Sequence, residues 1–134
     1  MSKIEMHGSC HCGAVTFTVR VDPSAPTIRC NCSICSKSRT WIALVSANDF
    51  ALTTGADRLT PYRFGSESIT HCFCSKCGIK SHGIINGDPG EEAGIAVCVA
   101  TLDIGPDDFG RLPVVYSDGL HDRPELEPAV VSYL

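Results

Sequence analysis

Nine cysteines in 134 residues constrain this chain more than any other feature. Eight of them fall into three tight groups, Cys10/Cys12, Cys30/Cys32/Cys35 and Cys72/Cys74/Cys77, and the pattern C-x-C-x-x-C occurs in both of the later groups. Thiols so placed serve disulfides, metal ions or catalysis. The segment Met1-Ser2-Lys3-Ile4-Glu5-Met6-His7 has no apolar stretch of the kind found in secretory leaders. A cytoplasmic location is therefore expected, where thiols stay reduced and a disulfide framework is disfavoured. An odd cysteine count also leaves at least one thiol unpaired in any all-disulfide scheme. Metal binding, catalysis or both remain.

The rest of the composition narrows the class. The length suits one domain over residues 1–134, able to bury a core without help from cross-links. A hydrophobic content of 43% excludes a disordered tail, and 19% charged residues argues against a coiled coil. A formal charge of -4 makes uniform attraction to nucleic acid unexpected. The longest apolar run, Ile95 to Leu102, falls far short of the roughly 20 residues that cross a bilayer, so no membrane partner is expected.

Periodicity is mostly two. In Ala14–Val21, the residues Val15, Phe17, Val19 and Val21 share one face, while Thr16, Thr18 and Arg20 share the other. Further strands are predicted at Trp41–Ser46, Leu59–Phe64, Ser68–Phe73, Ile79–Ile85, Gly94–Val99 and Pro113–Tyr116. Turn residues separate them at Thr54-Gly55, Gly65-Ser66, Asn86–Gly90 and Gly105-Pro106. Only the stretches around Ser33–Ser38 and Pro106–Phe109 read as helical. A mainly β fold with antiparallel sheets and short helical turns follows.

Two metal sites of different kinds are expected. Cys10 and Cys12 sit between glycines on a segment read as extended, and Cys74-Ser75-Lys76-Cys77-Gly78 is a C-x-x-C-G knuckle. Neither pair fills a tetrahedron; together they make a four-cysteine set of the kind that binds structural zinc. Cys72 would point the same way as Cys74, and the knuckle favours Cys74. The second set, Cys30, Cys32 and Cys35, concentrates three thiols in six residues with no fourth cysteine obliged to join. Three protein ligands with one position left to water or substrate is the arrangement of a catalytic zinc. Completion of this set by Cys72, Cys98 or a histidine is the closed alternative. Arg29, Lys37 and Arg39 are candidates to offset its negative charge. Thiolate donors make bound water less acidic, which disfavours hydrolysis and favours capture of another thiol.

The segments Gly8–Gly13, Cys30–Cys35 and Phe73–Gly78, together with Leu59–Phe64 and the Ser117-Asp118-Gly119 turn, resemble the glutathione-dependent formaldehyde-activating enzyme family in order and spacing. The resemblance implies a β-tent fold with two Zn2+ ions per chain, the second open to partial occupancy. By position it places Cys10, Cys12, Cys74 and Cys77 on the structural ion and Cys30, Cys32 and Cys35 on the catalytic one. It further implies a carbon–sulfur lyase that makes or breaks S-(hydroxymethyl)glutathione, with a small-molecule thiol such as glutathione as partner. The competing expectation is a non-catalytic zinc module that recognises a protein.

The remaining candidates divide between function and packing. His71 and His82 are either proton shuttles or satisfied polar groups at a strand edge. His11 is expected to face away from the metal, and His121 to lie in a loop. Trp41 either walls a ligand pocket or joins the core. Cys98 reads as a packed thiol, Asn86–Glu92 as a polar turn, and the segment around Pro124 and Pro128 as an irregular surface tail.

Overall fold

The computed structural model describes residues 2–87, 89–91 and 93–134. Parts of the Asn86–Glu92 turn, at Asp88 and Glu92, lie outside the described residues. Among those described, ten strands form two sheets. β1 (Ile4–Ser9), β2 (Thr16–Val21) and β5 (Phe50–Thr54) make a small antiparallel sheet in the order β1-β2-β5. The large sheet runs β10-β3-β4-β9-β8-β7-β6. Its strands are β3 (Thr27–Cys30), β4 (Trp41–Ser46), β6 (Leu59–Tyr62), β7 (Ile69–Cys74), β8 (Lys80–Ile85), β9 (Gly94–Cys98) and β10 (Val114–Ser117). Two short helices, α1 (Ser33–Ser38) and α2 (Pro106–Arg111), complete the fold.

The mainly β architecture agrees with the sequence, with differences in detail. All described pairings are antiparallel except that of β10 with β3, which is parallel. A parallel pair needs a long crossover, and here nearly the whole large sheet lies between the two strands. The strands β1, β3 and β5 escaped the periodicity search. In β1 and β3 the inward residues are sparse or small, such as Met6, Gly8 and Thr27, whereas β5 turns only Phe50 and Leu52 inward over five residues. No helix among the described residues is long and apolar enough to cross a membrane.

The core lies where the two sheets face each other. Phe17, Val19 and Val21 of β2 pack with Ala43 of β4 and with Ile95 and Val97 of β9, joined by Met6, Val99, Leu102 and Leu112. Their alternation along β2 is the one seen in the sequence: Phe17 and Val19 are each 1% exposed, whereas Arg20 is at the surface. An aromatic row crosses between the sheets. Phe17 stacks on Phe50 at 5.2 Å, and Phe50 meets the ring of His82 at 4.6 Å. Burial explains why both faces of β9 are apolar, since one side covers this core and the other is also sequestered.

His82 is a core residue on β8, which lies between β9 and β7 and not at the edge of the sheet. It is 2% exposed, and its Nδ1 bonds the Ser81 hydroxyl at 2.8 Å. Burial, aided by the Lys80 charge, pushes its pKa down to about 4. A histidine depressed in the folded state contributes stability above its unfolded pKa of about 6.5, and this is lost as pH falls through the folded value. Denaturant midpoints should therefore fall between pH 6.5 and 4 by an amount worth on the order of 2 kcal/mol more in the wild type than in His82→Phe. Equal slopes in the two proteins would show that His82 carries no such linkage.

Candidate metal centres

Two turns of the same construction bring the first four thiols together. Cys10 and Cys12 lie in the turn after β1, and Cys74 ends β7 with Cys77 in the turn that follows. In one turn the Cys10 amide donates to the Val15 carbonyl at 3.0 Å and the Gly13 amide to the Cys10 carbonyl at 3.3 Å. In the other the Cys74 amide donates to Ile79 at 3.0 Å and the Gly78 amide to Cys74 at 2.8 Å. Gly13 and Gly78 stand at φ +81 and +78, a region open chiefly to glycine, and each directly follows the second thiol of its pair. The segment around Cys10 is thus a tight turn and not the extended stretch expected, because the glycine lets it curl.

The geometry suits a metal. Cys10 Sγ lies 3.7 Å from Cys12 Sγ, which lies 3.6 Å from Cys74 Sγ, and all four sulfurs fall within 4.8 Å of one another. Metal–sulfur bonds of about 2.3 Å in a tetrahedron would set sulfur–sulfur edges of about 3.8 Å. Backbone amides point at the sulfurs as well: Val15 N–H donates to Cys10 Sγ at 3.3 Å and Lys76 N–H to Cys74 Sγ at 3.4 Å. The amides of Cys12 and Ile79 lower Cys77 to about 6, and the Cys77 amide lowers Cys74. Cys10 and Cys74 are buried while Cys12 and Cys77 lie nearer the surface.

The second set lies at the other end of the large sheet. Cys30 closes β3, Cys32 occupies the N-cap position of α1, and Cys35 sits in its first turn, with the three sulfurs within 4.8 Å. Among the described residues no fourth Cys, His, Asp or Glu joins them, and Cys72 and Cys98 belong to neither cluster. Those two thiols are 5% and 6% exposed, and burial pushes Cys98 up to about 11. Within the trio, hydrogen bonding with Cys32 and Cys35 drives Cys30 down, while Cys30 and Cys32 drive Cys35 well up. Three thiols at this range cannot all become anions unless a cation stands among them. All nine cysteines are free thiols, so neither cluster is tied up in disulfides.

Of the three cations named for this site, the two arginines have partners of their own. The Arg29 guanidinium lies 4.5 Å over the Trp41 ring, and Arg39 Nε donates to the Tyr133 carbonyl at 3.1 Å. Trp41 itself packs on the core and donates to Thr27 Oγ1 at 2.7 Å. Backbone also bears on Cys30: the Cys32 N–H donates to its sulfur at 3.3 Å, and the Gly119 amide adds to the lowering of its pKa. Lys37 projects from α1 into a cavity of about 470 Å³ that it shares with Ser33, Ile34, Ser38, Tyr62 and Phe64. His71 is buried with Nδ1 2.8 Å from Lys80 Nζ, and His11 is exposed.

Two residues in contact with the trio were not singled out from the sequence. Asn31 is 4% exposed, and its Nδ2 donates to Asp118 Oδ1 at 2.8 Å. That bond, with those to His121 and Arg123, holds the Asp118 carboxyl down to about 2. The available signals were Asn31's place between two ligand positions and the Asp118-Gly119 turn.

A mainly β protein carrying two cysteine sets able to hold metal ions is the class that fold and sites define. The sequence model of the glutathione-dependent formaldehyde-activating enzymes matches residues 5–115, and the chain belongs to that family. A Halomonas elongata protein given the same family designation is 36% identical over 80 residues, covering 54% of this chain and 51% of the relative. The match thus spans about half of that relative's length. A crystal structure of a Rhodobacter sphaeroides protein superposes with a TM-score of 0.69 at 36% identity, covering 82% of this chain and all of that one.

The two clusters should differ in what they hold together. Cys77→Ala is expected to lower the melting temperature of metal-loaded protein by at least about 10 °C, since a few kcal/mol shifts a domain of this size by that much. Cys32→Ala should leave it within a few degrees of wild type. Calorimetry under reducing conditions decides, and equal losses would contradict the division.

Proposed function

We propose that the chain is a zinc-dependent carbon–sulfur lyase of one domain, acting on the adduct of a small-molecule thiol, such as glutathione, with formaldehyde. Cys10, Cys12, Cys74 and Cys77 hold a structural zinc in this reading, and Cys30, Cys32 and Cys35 a catalytic one. The observation that carries it is the donor count: three thiols meet at the β3–α1 corner, and the described residues offer no fourth ligand. Family membership supplies the thiol and the aldehyde. The family's reaction joins sulfur to the aldehyde carbon while the thiol proton ends on the former carbonyl oxygen; cleavage is the reverse.

Zinc bound by the trio would supply a cationic centre where an incoming thiol can ionise and remain nucleophilic. The chain's own residues do the rest. Cys30, Cys32 and Cys35 offer three donors on a β3–α1 corner whose backbone is fixed, with Ser36 N–H bonded to the Cys32 carbonyl at 2.9 Å and Thr40 N–H to that of Cys35 at 3.0 Å. Amides of Cys32 and Gly119 bear on the Cys30 sulfur and temper its charge. Lys37, two residues beyond Cys35 on α1, brings a positive charge near the site that would favour the carboxylate of an anionic thiol. Tyr62 and Phe64, stacked at 5.7 Å, give that thiol's organic portion an apolar wall.

The test is exchange between glutathione, formaldehyde and their adduct, followed by two-dimensional NMR with zinc-loaded protein. Wild type should accelerate exchange above the uncatalysed rate, and Cys32→Ala should bring it back to that rate. Lys37→Glu should raise the thiol KM about tenfold or more, consistent with loss of a charge contact worth roughly 1.4 kcal/mol and its replacement by repulsion. No acceleration by fully loaded wild type would remove this assignment.

A further inference from the structure

The three-thiol cluster is braced from one side by a segment 87 residues away in the chain, and the contact is made by backbone and two buried polar side chains. Asn31 lies between Cys30 and Cys32, and its amide and both side-chain polar atoms bond to the end of β10 and the loop that follows. Its amide donates to the Ser117 carbonyl at 3.2 Å, its Nδ2 to Asp118 Oδ1 at 2.8 Å, and its Oδ1 accepts the Leu120 amide at 2.9 Å. Asp118 is 2% exposed. Its remaining lone pairs accept from His121 Nδ1 at 2.9 and 3.0 Å and from Arg123 at 3.0 Å.

A buried carboxylate is costly unless its oxygens are fully bonded. His121 and Arg123 are 60% and 55% exposed at their side chains, so that ion pair could be made at the surface. What its burial achieves is the docking of the intervening residue. Gly119 is pressed so close to the cluster that a Cβ there would lie 2.8 Å from Cys30 Sγ and 3.0 Å from the Cys32 Cβ. Its φ is not positive, so crowding alone, and not backbone conformation, demands glycine at this position. The closeness leaves no room between the loop and the two ligand positions.

We propose that Asp118 and Asn31 are positioning residues for the three-cysteine site: they clamp Gly119 onto Cys30 and Cys32 and so fix where the sulfurs stand. This rests on the reading of the trio as a metal site. Residues that orient ligands from behind commonly carry a 10–100-fold share of metal affinity. The first cluster shares no bond with the clamp among the described residues, so the effect should be confined to the second site.

Cobalt(II) titration of reduced protein supplies the test, because thiolate-to-cobalt absorption reports each site and the first site serves as an internal control. Asp118→Ala and Asn31→Ala should weaken the second site 10–100-fold and leave the first unchanged. Asp118→Asn, which keeps an oxygen for Asn31 Nδ2, should recover part of the loss. Gly119→Ala keeps the clamp but adds the crowding methyl, and should shift the second-site absorption even where folding is unaffected. Should the alanine variants fail to fold, Asp118→Asn and Gly119→Ala still decide. Variants with lowered melting temperature but wild-type affinity and spectrum at the second site would make the clamp merely structural and overturn the proposal. Uptake of a single cobalt by wild type would remove the underlying metal-site reading, and the inference with it; two cobalts with unaltered variants would remove the inference alone.

Discussion

Four sulfur atoms join the two sheets, and the rest of the architecture is arranged around that junction. Cys10 and Cys12 come from the turn leaving the small sheet, Cys74 and Cys77 from the end of β7 in the large one. Their sulfurs meet at metal-binding range beside Val15 and Leu59, so polar ligands and apolar packing share one corner. Four thiols brought within 4.8 Å would repel once ionised; a cation among them converts the repulsion into a cross-link between segments more than 60 residues apart. The aromatic row Phe17–Phe50–His82 holds the sheets together elsewhere, through burial and ring contacts alone.

The trio differs in position and in environment. It occupies a strand-to-helix corner, and all three cysteines are partly accessible. Its charge is moderated by peptide dipoles and not by the nearby arginines, which are committed to Trp41 and the Tyr133 carbonyl. Amide donors keep the local charge without introducing a cation that would compete with the metal or block its approach.

Much of both sites was legible because metal-ligand spacing is a local property: Cys74–Gly78 and Cys30–Cys35 form their turns from adjacent residues. The strongly alternating β2 was legible for the same reason. What the sequence did not reveal depends on distant partners. β1, β3 and β5 are strands because neighbours pair with them, not because their own residues alternate strongly. The parallel pairing of β10 with β3 carries the Asp118 loop to Asn31, a contact no spacing rule can express. Arg29 and Arg39 illustrate the opposite error: closeness along the chain suggested charge compensation, whereas ring stacking and a distant carbonyl claim them.

Inequality between the two clusters is the central claim, and graded chelation of doubly metal-loaded protein tests it most directly, with metal release and circular dichroism followed together. One equivalent should leave first with the sheet signal unchanged, and the fold should be lost only as the second departs. Release of both ions in one step, or collapse of the sheet signal with the first, would contradict it.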